Sequence, residues 1–357
     1  MPAENTVSFE PFGIAPNGEE IQLYTLEIPG VIKASVMNYG ATLTHLYVPD
    51  RAGKMEDVVL GFDDFEGYLS KEYLENYCYL GSTVGRIGGR IKGNQFELEG
   101  VTYKLNPNQG STHLHGGKHG WDRKVWKASP FKNDKSIGVE FSLTSPEEEE
   151  NYPGNIDFRV IYSIQSDGML AIEYHGTTDK TTILNPTNHS YFNLSGDFSK
   201  DILNHKLQIS AKHFLPVDDD SFPTGELEPV ENTPFNFLKE TEIGKSLGEE
   251  NLQLKYGNGI DHSFAFDVRE NCISLFEPQS GRVLEVDTTE PGVQVYTSNY
   301  LDGSIKGKNG IAYKKNAAIC LETQHFPDSI NQKEFPSVVL RPDESFFSKT
   351  TFKFSMR

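Results

Sequence analysis

Cysteine is scarce in this 357-residue chain: Cys78, Cys272 and Cys320 stand far apart, with no Cys-x-x-Cys among them. That excludes a disulfide framework and a zinc knuckle and fits a reducing compartment. Basic residues fall short of acidic ones, 33 against 51, leaving a net charge of −18. Nucleic acid and anionic membrane surfaces need clustered Lys and Arg, so neither is expected as a partner, whereas a small neutral ligand is not excluded. No uninterrupted apolar run approaches the roughly 18–20 residues of a membrane helix. The opening Met-Pro-Ala-Glu-Asn lacks a basic n-region and an apolar core, so no secretory signal is expected and the protein reads as cytoplasmic. Helical periodicity is also scarce. Its best stretch follows Asp63-Asp64 and runs through Tyr68 to Tyr77, with an Asp available as N-cap. Linkers, composition shifts and internal repeats are missing too, which leaves residues 1–357 as one expected domain.

What the chain does have is period-two alternation. Charged residues at 24% and hydrophobic ones at 36% mark it as globular. Phe96 and Leu98 alternate with Glu97 and Glu99, and Val101, Tyr103 and Leu105 continue after a turn at Glu99-Gly100. Ile137, Val139, Phe141 and Leu143 mark another strand, followed by a solvated acid run from Glu147 to Glu150. Phe158, Val160, Tyr162 and Ile164 turn at Ser166-Asp167-Gly168 into Leu170, Ile172 and Tyr174, a hairpin. With 32 Gly, 19 Pro, 23 Phe and 16 Tyr, the pattern predicts an all-β protein: a large antiparallel β-sandwich with an aromatic-rich core.

Several polar groups interrupt this pattern. Glu322 ends the apolar run Ala317-Ala318-Ile319-Cys320-Leu321, where a carboxylate is costly unless something pairs with it or uses it. Burial raises the pKa of such an acid towards that of a useful proton acceptor, although a structural acid is equally compatible with the strand alone. His113 and His115 would share a face on a strand, a metal-like spacing, but Lys118 and His119 stand where a cupin-type site would want a Glu. Gly116 and Gly117 suggest a loop that lets a ligand approach the backbone. In Asn188-His189-Ser190-Tyr191-Phe192-Asn193-Leu194, extended geometry points His189, Tyr191 and Asn193 one way, a face suited to a hydroxyl-rich ligand or to a hydrogen-bonded polar strand. The glycosylation-like triplets at Asn188 and Asn193 are discounted, because the segment reads as a pocket wall. Asp261 reads alone as a turn acid. Gln294 and Tyr296 share a strand face, and a buried Gln must satisfy its donors and acceptors somewhere, plausibly on a ligand. Arg86 and Arg90 share a strand face, with the surface as the usual place for either.

Together these segments resemble the aldose 1-epimerases, or galactose mutarotases, from Asn38-Tyr39-Gly40-Ala41 to Leu340-Arg341-Pro342. The motifs are Gly-Arg-x-x-x-Arg-Ile, Leu-His-Gly-Gly, Asn-His-Ser-Tyr-Phe-Asn-Leu, Pro-Gly-Val-Gln and Leu-Glu-Thr-Gln-x-x-Pro-Asp, in the expected order. The resemblance implies the large β-sandwich of that family, a supersandwich with its pocket open on one sheet. It implies Glu322 as catalytic base, His189 as general acid and Tyr191 as a neighbouring sugar contact. Arg90, His115, Asp261 and Gln294 match the residues that hold the sugar hydroxyls. Gly89 departs from the Asn that many members carry before this Arg, which removes one amide near the sugar.

The implied reaction is ring opening and reclosure of a free hexose, galactose or glucose, with no cofactor and no metal. Glu322 takes the O1 proton while His189 as imidazolium gives one to the ring oxygen, and both roles reverse on closure. A Glu near its reference value of about 4.3 is ionised at pH 7 and a His near about 6.5 is roughly one-quarter protonated, a fraction that a neighbouring carboxylate would raise. The alternatives are a glycoside hydrolase using Glu322 and Asp261 as a carboxylate pair, and a non-catalytic sugar-binding protein on the same scaffold. The expected partner is a small-molecule aldose, with the protein a monomer or weak homodimer.

Overall fold

A computed structural model describes residues 4–357. The alternating segments form strands, and the ladders of three large sheets are antiparallel. The architecture is a large antiparallel β-sandwich. A five-stranded sheet holds the first strands in chain order, from Thr6–Ile14 to Met55–Asp57. A nine-stranded sheet is built around the hairpin Ile156–Gln165 and Leu170–Thr178. The last strand, Phe346–Met356, inserts between Leu170–Thr178 and Arg282–Thr288 and so ties the C-terminus into the middle of this sheet. The third sheet has six strands in spatial order Tyr191–Phe192, Ile319–Gln324, Gly292–Tyr296, Asp261–Ala265, His213–Phe214 and Glu228–Pro229.

One continuous apolar core joins the three sheets. Leu26, Val36, Val160, Tyr162, Ile172, Val293, Val295, Ile319 and Leu321 all belong to it. Burying each such aliphatic side chain contributes about 1.5–3 kcal/mol. The same alternation sets the register of the six-stranded sheet. With Val293, Val295 and Leu321 facing the core, Gln294, Tyr296 and Glu322 face the other way. A one-residue slip would drive that polar set into the core.

Three expectations need correction. The stretch after Asp63-Asp64 forms two short helices rather than one, Phe65–Tyr68 capped by Asp64 and Lys71–Glu75 capped by Ser70, and the chain from Tyr77 onwards is a loop. Arg86 and Arg90 do not share a strand face. Arg86 is fully buried and donates to Ser145 Oγ and to the carbonyls of Ser145, Pro146, Pro153 and Gly154 at 2.8–3.0 Å, so it serves as the peg of a loop. The acid run is only partly solvated, since Glu150 is buried and accepts the His119 amide at 2.8 Å.

Candidate active site

The strand Ile319–Gln324 is buried along its whole length, because one face packs on the core and the other is roofed by aromatic loops. Its pairing register sets Glu322 opposite Gln294 and Cys320 opposite both Tyr296 and Tyr191. On the next strand Asp261 lies opposite Tyr296 and Ser263 opposite Gln294. Alternation thus gathers the polar side chains on one face. Ser263 donates its hydroxyl to Gln294 Oε1, and Gln294 Nε2 donates to Asp261 Oδ1 at 2.7 Å. Gln294 is therefore largely occupied in aiming Asp261.

His189 lies between the short strands Thr187–Asn188 and Tyr191–Phe192, with its backbone pinned by Ser82 and Gly81. Its ring stacks on Tyr191 with centroids 5.1 Å apart, and Tyr79 lies near-parallel to it at 5.9 Å. Nε2 stands 3.6 Å from Glu322 Oε1, and Nδ1 stands 3.5 Å from the Cys320 thiol. Both members of the pair are almost completely buried, and desolvation pushes them towards neutrality. The Glu322 carboxyl is raised well above the usual range by burial and then by Asp261, with Arg90 opposing, while burial lowers His189 to about 4. This corrects the expectation of an ionised Glu322 that raises its neighbour. Both shifts oppose a charged pair and favour the neutral form of each group.

His115 follows the two-residue strand His113–Leu114 in a left-handed conformation, φ +50°, which sends its ring into the cavity. His113 and His115 consequently diverge: His113 is buried between the Asn106 carbonyl and the Tyr152 hydroxyl, each 2.6 Å from a ring nitrogen. His115, His189 and Glu322 offer atoms all within 4.8 Å of one another, a spacing a metal could use. However, the Gly89 amide donates to His115 Nδ1 at 3.1 Å, so the neutral ring carries its hydrogen on Nε2. A metal-bound His ordinarily has the reverse arrangement, donating from its second nitrogen. His115 is built to donate a hydrogen bond, as a sugar oxygen requires. Burial, His189 and Arg90 together hold its pKa well below the usual value.

All seven predicted residues, Arg90, His115, His189, Tyr191, Asp261, Gln294 and Glu322, border one cavity of about 500 Å³. Tyr191 contributes its ring, since its hydroxyl donates to the Cys78 carbonyl at 2.9 Å. Asn193 does not join them; its amide holds the Lys200 and Ala317 carbonyls. Asn188 and Asn193 are both buried, in keeping with a pocket wall. The sequence reading missed Tyr79 and Gln324 as cavity residues. Tyr79 lies just beyond the aromatic stretch expected as helix, whereas Gln324 was legible as the same-face neighbour of Glu322.

A family model for the aldose 1-epimerases matches residues 22–353. The chain is 44% identical to galactose mutarotase of Bos taurus over 352 residues, covering 97% of each protein. It is 33% identical to aldose 1-epimerase of Escherichia coli K12, covering 96% of this chain and 97% of that one. A solved galactose 1-epimerase from Lactobacillus acidophilus superposes with a TM-score of 0.87 at 29% identity, covering 99% of each chain. Neither the glycoside hydrolase nor the non-catalytic sugar binder finds support among these relatives. With a match this long in both directions, the chain belongs to the aldose 1-epimerase family, isomerases that interconvert the anomers of aldoses.

Proposed function

We propose that the protein equilibrates the anomers of a free hexose of the galactose and glucose class, with Glu322 as base and His189 as acid. The observation that carries this assignment is the side-by-side placement of the two groups, 3.6 Å apart in a buried corner of the cavity. O1 and O5 are bonded to the same carbon, so a base for one and an acid for the other must be neighbours. Glu322 removes the O1 proton as His189 protonates O5; the C1–O5 bond breaks and C1 becomes an aldehyde. Rotation about C1–C2 presents the other face of the aldehyde. O5 then attacks C1, His189 recovers its proton from O5, and Glu322 returns one to O1. The single proton of the pair supplies the cycle: substrate hydroxyls stabilise the ionic form, with the proton moved from Glu322 to His189. Each partner is expected to contribute about 10²–10⁴-fold. Arg90, the Nε2 hydrogen of His115 and the carboxylate of Asp261 hold the hydroxyls, while Gln294 and Tyr191 support Asp261 and His189.

In this reading the whole chain is one catalytic unit, acting as a monomer or weak homodimer without cofactor or metal. The three unpaired cysteines favour a cytoplasmic setting, and no helix among the described residues is long and apolar enough to cross a membrane. The test is polarimetry of freshly dissolved α-galactose and α-glucose with the native protein and with Glu322→Gln. The native protein should speed the decay of optical rotation and the variant should not; equal decay rates would remove the assignment.

A further inference from the structure

Gln324 ends the strand that carries Glu322, two residues beyond it and on the same face. It is 2% exposed, it borders the cavity, and neither Nε2 nor Oε1 has a hydrogen-bond partner among the described residues. A buried amide with both ends unpaired is costly and rare unless a ligand completes it. Gln294 is a poorer candidate for reading a ligand, because Ser263 and Asp261 already occupy it. The surroundings also leave room for this particular side chain. Gly292 stands opposite Gln324 in the ladder, and a Cβ at Gly88 would lie 2.3 Å from Gln324 Oε1.

We propose that Gln324 is a substrate-binding residue that reads the hydroxyl on C2 of the aldose, an assignment that rests on Glu322 acting at O1 and His189 at O5. Cys320, Glu322 and Gln324 follow one another along one strand face, about 6.6 Å from each to the next. His189 leans towards the Cys320 end, touching its thiol and stacking on Tyr191, the residue paired with Cys320. The order along the cavity floor is therefore His189, Glu322, Gln324. Around a pyranose the matching order is O5, O1, O2. A sugar that puts O5 on His189 and O1 on Glu322 turns its C2 edge to Gln324, where Nε2 donates to O2 and Oε1 accepts the O2 hydroxyl hydrogen.

The experiment compares galactose with 2-deoxygalactose and 3-deoxygalactose by polarimetry, with spontaneous mutarotation subtracted, in the native protein, Gln324→Leu and Gln324→Met. The native protein should prefer galactose over its 2-deoxy analogue by about tenfold in kcat/KM, the worth of one well-made hydrogen bond. Both variants should lose that preference, chiefly through KM for galactose, while galactose and 3-deoxygalactose fall together. Either variant retaining the 2-hydroxyl preference, or a native protein without it, would overturn the assignment; the native comparison decides even if a variant fails to fold. A native protein that accelerates none of the three sugars would instead defeat the epimerase reading on which the assignment stands.

Discussion

Replacing Glu322 by Gln should raise stability while it removes most of the activity, and the pH dependence of the gain is set by the site. Burial and Asp261 raise the folded pKa of Glu322 well above its ordinary value, so folding takes up a proton wherever the pH exceeds about 4.3, the unfolded value. From there up to the folded pKa, that uptake lowers the stability of the native protein by about 1.4 kcal/mol per pH unit. The amide never ionises and loses this term. The advantage of the variant should therefore be small near pH 4 and grow with pH at about that slope. His189 contributes the opposite sign: its folded value of about 4 against 6.5 makes folding release a proton between those limits. A drop from 6.5 to about 4 at 1.36 kcal/mol per unit is worth about 3 kcal/mol. In the native protein the two terms oppose one another, whereas Glu322→Gln leaves the His189 term alone, and its stability should fall as the pH is lowered from 6.5 to 4. Urea denaturation of both proteins from pH 4 to 8, read as the difference in midpoint at constant slope, measures this directly. A difference that does not change with pH would mean that Glu322 is ionised in the folded protein, which would refute the shared-proton account. At the same time kcat should fall about 10²–10⁴-fold, with sugar binding largely kept.

His189→Gln should cost a similar factor in kcat, and the native profile should be bell-shaped, because only the singly protonated pair has both an acid and a base. Activity that stays flat from pH 4 to 10 would contradict this. Tyr191→Phe removes the bond to the Cys78 carbonyl and should lower stability by about 1 kcal/mol with KM nearly unchanged; a tenfold rise in KM would mean that the hydroxyl meets the sugar. Arg86→Met leaves several buried carbonyls without donors and should cost at least about 3 kcal/mol by denaturation. Arg90→Met, at the half-buried cavity edge, should instead raise KM and leave the denaturation midpoint close to native.

Much of this was readable in the chain alone, because strand alternation is a local property. An acid among apolar residues at Glu322, and the faces shared by His189 with Tyr191 and by Gln294 with Tyr296, follow from period two whatever the rest of the fold does. The five motifs contain six of the seven cavity residues in the right order, and the fold class came with them; Asp261 stands outside the motifs. Other matters depended on which distant segments meet. Arg86 and Arg90 are alike in sequence, and only the loop at Ser145–Gly154 makes one a structural peg and leaves the other at the cavity. A buried Gln must satisfy its donors and acceptors somewhere: Ser263 and Asp261 satisfy Gln294, whereas neither end of Gln324 has a partner among the described residues. The opposite pKa shifts of Glu322 and His189 likewise come from desolvation by elements far along the chain. Hydrogen-bond occupancy and local dielectric are sums over everything packed around a group, and no window of neighbouring residues contains them.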